Sequence, residues 1–390
     1  MTSEERRAAR YARRKEKREA KRQAAGAAIG GIDEVFSLEH LYRSYELCRK
    51  GVLWKASVQT YKAGALLHVY HARQDLLRGS FQSRGFVEFD IFERGKPRHI
   101  RSVHISERVV QRCLCDHCLV PLLSRCFIYD NGACLRGKGM DFSIRRLKKH
   151  LRDHYRKHGT DGYVLLFDFQ KFFDTANHEP ILAGIERAVP NESLREQTAY
   201  FLHQFGPYGL GLGSQVSQIC ALALPNSLDH YIKEVLRIQG YGRYMDDGYL
   251  IHHSKAYLRR CLDAIRGKCR ALGIALNEKK TQIIKITRGI QFLKHRFFFT
   301  DTGKLILRPC RKTVYRMERK LRIFCRWVRD GRMKIEDVVT SMASWRGHMM
   351  RSCSRSLVAR VERLFTRYFT QGRDVLVSRD LTWGADRPRG

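Results

Sequence analysis

A chain of 390 residues is long enough for two or three structural units sharing at least one large core. Its 74 Lys and Arg against 39 Asp and Glu leave a formal charge of +35, a surplus that implies a polyanionic partner. With 43% hydrophobic and 11% aromatic residues, the basic side chains decorate a globular body, which excludes a histone-like tail or a collagen-like chain. The longest apolar runs, Tyr163 to Phe167 and Ala221 to Leu224, fall far short of the roughly 18 residues of a membrane span, and no secretory apolar region follows the basic start. The expectation is a cytoplasmic chain without a membrane partner, its 12 cysteines reduced.

Residues 1–30 read as a basic arm, in which cations such as Arg6, Arg10, Arg13, Arg14, Lys17 and Lys21 alternate with Glu4, Glu5, Glu16 and Glu19 and almost nothing is apolar. Such an arm either orders as a helix on a nucleic-acid backbone or remains a solvated tail. From Ile32 to Leu77, Val35, Leu38, Leu41, Tyr45, Val58, Tyr61, Leu66 and Tyr70 recur at helical spacing. Phe86 to Phe92 alternates with period two and is broken by Gly95 and Pro97, a hairpin signal. Residues 106–126 and 143–158 read as helices. The first contains Cys113-Leu-Cys115-Asp-His117-Cys118, which lacks a second ligand pair at a spacing that closes a tetrahedral zinc site. Val109, Val110, Cys113, Leu114, Cys118 and Leu122 recur helically, so these thiols read as small core residues. After Thr300 the pattern is basic helix to about residue 370, and the last twenty residues carry little pattern.

Two acidic sites carry the chemistry. Tyr163-Val-Leu-Leu-Phe-Asp168-Phe is a buried strand interrupted by one carboxylate, whose burial costs several kcal/mol unless a cation compensates it. Tyr244-Met245-Asp246-Asp247 lies between two short apolar runs and reads as a tight hairpin turn presenting adjacent carboxylates. Hard divalent cations relieve such repulsion, and the three carboxylates together suit a two-metal site for in-line phosphoryl displacement. An Asp-Asp pair alone would read as an ordinary turn. Joined to Asp168 and the +35 charge, it does not.

With these residues in place, the sequence resembles the palm of reverse transcriptases of the prokaryotic non-LTR type, which includes group II intron, retron and diversity-generating retroelement enzymes. The resemblance runs from about residue 35 to 300. Tyr244 to Asp247 matches the family's Y-x-D-D turn, and Asp168 to Asp174 its first metal-binding strand. Leu212 to Gln218, Asn226 to His230, Leu276 to Thr281 and Phe292-Leu293 match the following motifs in order, while Gly95 to Arg98, Glu107 to Gln111 and Gly137 to Gly139 match the fingers. The resemblance implies an α+β right-hand polymerase: helices and fingers at 31–162, a palm of antiparallel sheet and helices at 163–300, a helical thumb at 301–372 and a tail at 373–390.

It implies further that Asp168, Asp246 and Asp247 hold two Mg²⁺ ions, with Mn²⁺ as a substitute. Phe173 would be the steric gate against a ribose 2′-hydroxyl, or else a core aromatic. Lys96, Arg98 and Arg101 would close on the triphosphate, Arg98 fitting the pattern best, and Arg136 and Gln218 would contact substrate. Lys280 would protonate pyrophosphate, contact the template or be a surface lysine. The implied partners are an RNA template, an RNA–DNA duplex, deoxynucleoside triphosphates, a dedicated noncoding RNA and a small accessory protein. Ser217-Gln218 and Gly132 to Gly139 are similar to diversity-generating retroelement enzymes, with phage-defence enzymes nearby. Lys294 departs from the family, which often has Gly in that turn. The rival functions are an RNA-binding maturase-like or scaffold protein, against which the intact carboxylates argue, and an RNA-directed RNA polymerase, for which Phe173 is the wrong residue.

Overall fold

The computed structural model describes residues 2–93 and 96–369. Gly95 of the fingers turn, the Lys96 side chain and the expected tail at 373–390 therefore lie outside the described residues. The chain divides into two compact units, one built from residues 1–146 and 165–283, the other from 147–164 and 284–390.

In the first unit, helices Leu38–Cys48, Ala56–Ala63, Ala65–Leu77 and Ile105–Leu114 bury one face each, contributing Leu41, Tyr45, Val58, Tyr61, Val69, Val109 and Cys113 to a common core. The hairpin follows as expected: β1 (Phe86–Glu93) pairs antiparallel with β2 (Lys96–Val103), placing Ile91 opposite Arg98 and Glu88 opposite Arg101. A four-stranded sheet takes the order β4-β5-β3-β6, from β3 (Tyr163–Asp168), β4 (Gly240–Tyr244), β5 (Asp247–His252) and β6 (Gln282–Lys285). The four residues Val164 to Phe167 are all buried, as an uninterrupted apolar run in a covered central strand requires.

The second unit holds β7 (Ile290–Phe292), β8 (His295–Phe299) and β9 (Leu305–Pro309) as a three-stranded antiparallel sheet. Helices Arg311–Arg329, Ile335–Met349 and Arg355–Phe369 then pack around Leu321, Phe324, Val338, Met342, Val361 and Phe365. This mixed fold of helices and antiparallel sheets is the expected α+β class.

Two local expectations need correction. The chain after Thr300 does not turn helical at once: Leu305 to Pro309 pairs with β8 across a turn whose Gly303 has φ +76°. The helix at 106–126 is not regular, because a π turn over Cys115–Leu119 and a 3₁₀ turn over Ser124–Cys126 interrupt it. Of the two forms open to the arm, the structure shows the helical one, a 25-residue helix, Ser3–Ala27. The thiols of the cysteine cluster are core residues as expected. Cys113, Cys115 and Cys118 are fully buried, and burial pushes the thiols of Cys113 and Cys118 up to about 12.

Candidate active site

The sheet delivers the acidic residues to one point. Asp168 ends β3, Asp247 opens β5, and Met245-Asp246 is the two-residue loop that joins the Tyr244 and Asp247 pair of the β4–β5 hairpin. Asp168 is buried, Asp246 and Asp247 are half-buried, and one carboxylate oxygen from each lies within 4.8 Å of the others. The Asp246 carbonyl accepts from Phe169 N–H at 3.2 Å, locking the loop against the strand end. Gly248 is required by close approach: a Cβ there would sit 2.2 Å from the Phe167 ring.

The electrostatics match a cation site. Burial, then the neighbouring carboxylates Asp246 and Asp168, raise the Asp247 carboxyl to about 7. Asp246 is raised by burial and by Asp168, with Lys280 and Arg98 pulling the other way. Three hard oxygen donors without a thiolate or imidazole form the donor set preferred by Mg²⁺ or Mn²⁺. Lys280 Nζ donates to Asp168 Oδ2 at 2.6 Å, and Asn277 Nδ2 to the same oxygen at 3.3 Å. Burial lowers the Lys280 ammonium pKa, but the hydrogen bond to Asp168 and the other carboxylates raise it by more, so the lysine is a resident cation of the triad.

The remaining expected residues divide. Phe173 lies in the short helix Phe172–Thr175, and it is Phe172 that enters the core while Phe173 stays part-exposed, edge-on to it at 5.6 Å. Arg98 is exposed on β2 and its charge reaches Asp246. Arg101 is occupied elsewhere: it pairs with Glu88 at 2.9 Å and stacks on Phe86, with its carbon 4.3 Å from the ring centre. Gln218 is exposed on helix Gln215–Ala223. Arg136 is exposed on a loop whose base is tied to the sheet, Gly132 N–H donating to the Arg243 carbonyl at 2.9 Å and Arg243 N–H to the Asp130 carbonyl at 3.1 Å.

Two features escape a reading of the sequence. Arg243, fully buried, makes a two-point ion pair with Asp229, Nη2 to Oδ2 at 2.6 Å and Nε to Oδ1 at 2.8 Å, and its Nη1 donates to the Met245 carbonyl at 2.7 Å. A buried polar chain also links Ser83 to Glu107, Glu107 to Gln111 at 2.9 Å, and Gln111 to Ser214 at 2.9 Å, which caps helix Gln215–Ala223. Glu107 and Gln111 stand in the expected fingers motif, but nothing in their spacing names their partners.

A family model described as reverse transcriptase (RNA-dependent DNA polymerase) matches residues 94–297, more than half the chain. No curated protein matches. Among solved structures the chain is similar to an apo telomerase from Candida tropicalis, at 13% identity and TM-score 0.45 over 59% of this chain and 51% of that one. It is similar also to a telomerase from Candida albicans in complex with a TWJ fragment of telomeric RNA, at 11% identity and TM-score 0.48 over 74% and 56%. The chain spans about half the length of these structures, 51% and 56%.

Proposed function

The chain belongs to the reverse transcriptase (RNA-dependent DNA polymerase) family, and we infer that it copies an RNA template into DNA by nucleotidyl transfer at Asp168, Asp246 and Asp247. One observation carries the reading: three carboxylates converge within 4.8 Å at a strand end and hairpin turn, with Asp247 raised to about 7 by the crowding. Such a cluster is stable and ionised at neutral pH only with added positive charge. Asp168, Asp246 and Asp247 would hold the divalent ions, which when bound activate the primer 3′-hydroxyl and neutralise the leaving pyrophosphate.

The chain's own residues do the rest. Arg98, whose charge already reaches Asp246, is the fingers cation for the triphosphate, and Arg101 supports it by pinning β2 to β1 through Glu88. The part-exposed ring of Phe173 walls the site where a 2′-hydroxyl would stand and so selects deoxynucleotides. Lys280 orients Asp168 and is the proton donor within reach of a leaving group there. Gln218 and Arg136 contact template or nucleotide. The +35 charge and the basic helices from Arg311 suit the RNA–DNA duplex, whose backbone contacts are blind to sequence.

Ser217-Gln218 and the Gly132 to Gly139 loop support a prokaryotic enzyme of the diversity-generating type or of an antiphage system, acting on a dedicated noncoding RNA with a small accessory protein. The test is to recover the tagged protein from its host and sequence the bound RNA and any DNA copied from it, beside the Asp246→Asn, Asp247→Asn double variant. DNA found only with the unaltered protein supports the reading, and errors concentrated at template adenines favour diversification over defence. The same RNA bound by both proteins, with DNA from neither, would put a scaffold role ahead.

A further inference from the structure

Helix Ser3–Ala27 has no core of its own. Among the described residues, every one from 3 to 21 is exposed and the helix is held at its end, where Ala25 is buried, Gly26 abuts the Pro190 ring and Arg22 donates to the Arg187 carbonyl. It forms because Ala, Arg, Lys and Glu are strong helix formers and because Thr2 and Glu5 close a capping box.

The distribution of charge on this rod is not uniform. At about 100° per residue, all ten of its Arg and Lys residues fall within an arc of about 200°. Arg6, Arg10, Arg14, Lys17 and Lys21 succeed one another three or four residues apart as an unbroken ridge, and the other cations flank it. Glu5, Glu16 and Glu19 lie outside the arc together with Ala8 and Ala12. Glu4 falls on the arc but in the first turn, where a carboxylate suits the helix dipole. Crowding cations on one face costs helix stability unless a polyanion meets that face.

The opposite face decides between polyanions. An interfacial membrane helix needs Leu, Phe or Trp there, and a helix seated in a protein groove needs apolar anchors at helical spacing. This one offers alanine and glutamate. We propose that helix Ser3–Ala27 is a grip for the phosphate backbone of a base-paired RNA segment, separate from the residues around the carboxylate triad. The proposal rests on the reading of the chain as an enzyme that works on a structured RNA, and it names where that RNA is held.

The test uses the full chain and a labelled RNA hairpin of about 20 base pairs without a recessed 3′ end, with affinity followed by anisotropy across a salt series. The informative variant is Glu16→Lys, Lys17→Glu, Arg18→Glu, Glu19→Arg, which leaves composition, net charge and helix propensity unchanged but sets two carboxylates into the basic arc. Affinity should fall by about 10-fold or more, and the slope of log K against log salt should shrink by about 2. Circular dichroism should show the same helix content, and extension of a short primer–template should be unchanged. Equal affinity and slope for both proteins would overturn the proposal, as would binding of the arm to anionic vesicles with no loss on the hairpin. If the unaltered protein makes no DNA while the variant still loses the hairpin, the polymerase reading fails and the grip stands.

Discussion

Arg243 and Asp229 are both fully buried, joined at 2.6 Å and 2.8 Å, and the same guanidinium holds the Met245 carbonyl of the β4–β5 turn. Met245 has φ +55°, a left-handed conformation that a two-residue hairpin loop ordinarily assigns to glycine. The hydrogen bond from Arg243 compensates that strain and fixes Asp246, the next residue. Arg243→Ala would leave the Asp229 carboxylate buried without its cation, the Tyr241 hydroxyl alone still donating to it, and should cost about 3–5 kcal/mol in denaturant unfolding. The pair Arg243→Met, Asp229→Leu should recover most of that stability but not synthesis, because the Met245 carbonyl still lacks its donor. Recovery of synthesis together with stability would show that the pair only fills the core.

The carboxylate cluster makes a prediction about pH. Asp247, raised from 3.8 to about 7, binds its proton more tightly folded than unfolded. That contribution to stability is fully present below the ordinary carboxylate range and is lost as pH rises through about 7. In chelator, the melting temperature of the unaltered protein should therefore fall relative to Asp247→Asn as pH rises from about 5 to about 8, and saturating Mg²⁺ should remove the fall. A difference between the two proteins that stays flat with pH would contradict the crowding.

Phe173 can be separated from its neighbour. Phe172→Ala removes a core ring and should cost about 3–5 kcal/mol of stability. Phe173→Ala should leave stability nearly intact and raise incorporation of ribonucleotides by about 10-fold or more in single-nucleotide extension. Unchanged exclusion of ribonucleotides would remove Phe173 from the site.

Gly248 tests how tightly the strands must pack behind Asp247. Gly248→Ala drives a Cβ into the Phe167 ring and should cost about 1–3 kcal/mol, with a larger loss of synthesis as Asp247 is displaced. Adding Phe167→Leu should restore part of both. Failure of that rescue would place the defect elsewhere in β5.

The carboxylates were legible because each breaks a local pattern: Asp168 interrupts an apolar strand, and Asp246-Asp247 occupies a turn between apolar runs. Arg243 was not, since an arginine in a short strand next to a turn looks like a solvated charge until Asp229, 14 residues away, is folded against it. The Arg101 partner was likewise not legible: the hairpin register sets Arg101 opposite Glu88, and the two pair at 2.9 Å. β9 was hidden by Arg308 and the basic helix after it, although Leu305-Ile306-Leu307 carries strand propensity. Lys294 departs from the usual glycine, yet the β7–β8 hairpin forms. Leu293 and Lys294 take φ +47° and +65°, with their carbonyls held by His295 at 2.8 Å and by Cys310 N–H at 3.1 Å, contacts no local pattern announces.

The most direct measurement is primer extension by the purified chain on a defined RNA template with a DNA primer and deoxynucleotides, titrated with Mg²⁺, beside Asp246→Asn. The unaltered protein should make Mg²⁺-dependent, template-complementary DNA and Asp246→Asn none, with both proteins binding the primer–template at equal salt-dependent affinity. Extension that survives Asp246→Asn, or DNA made equally without divalent ions, would contradict the assignment of synthesis to the carboxylate triad.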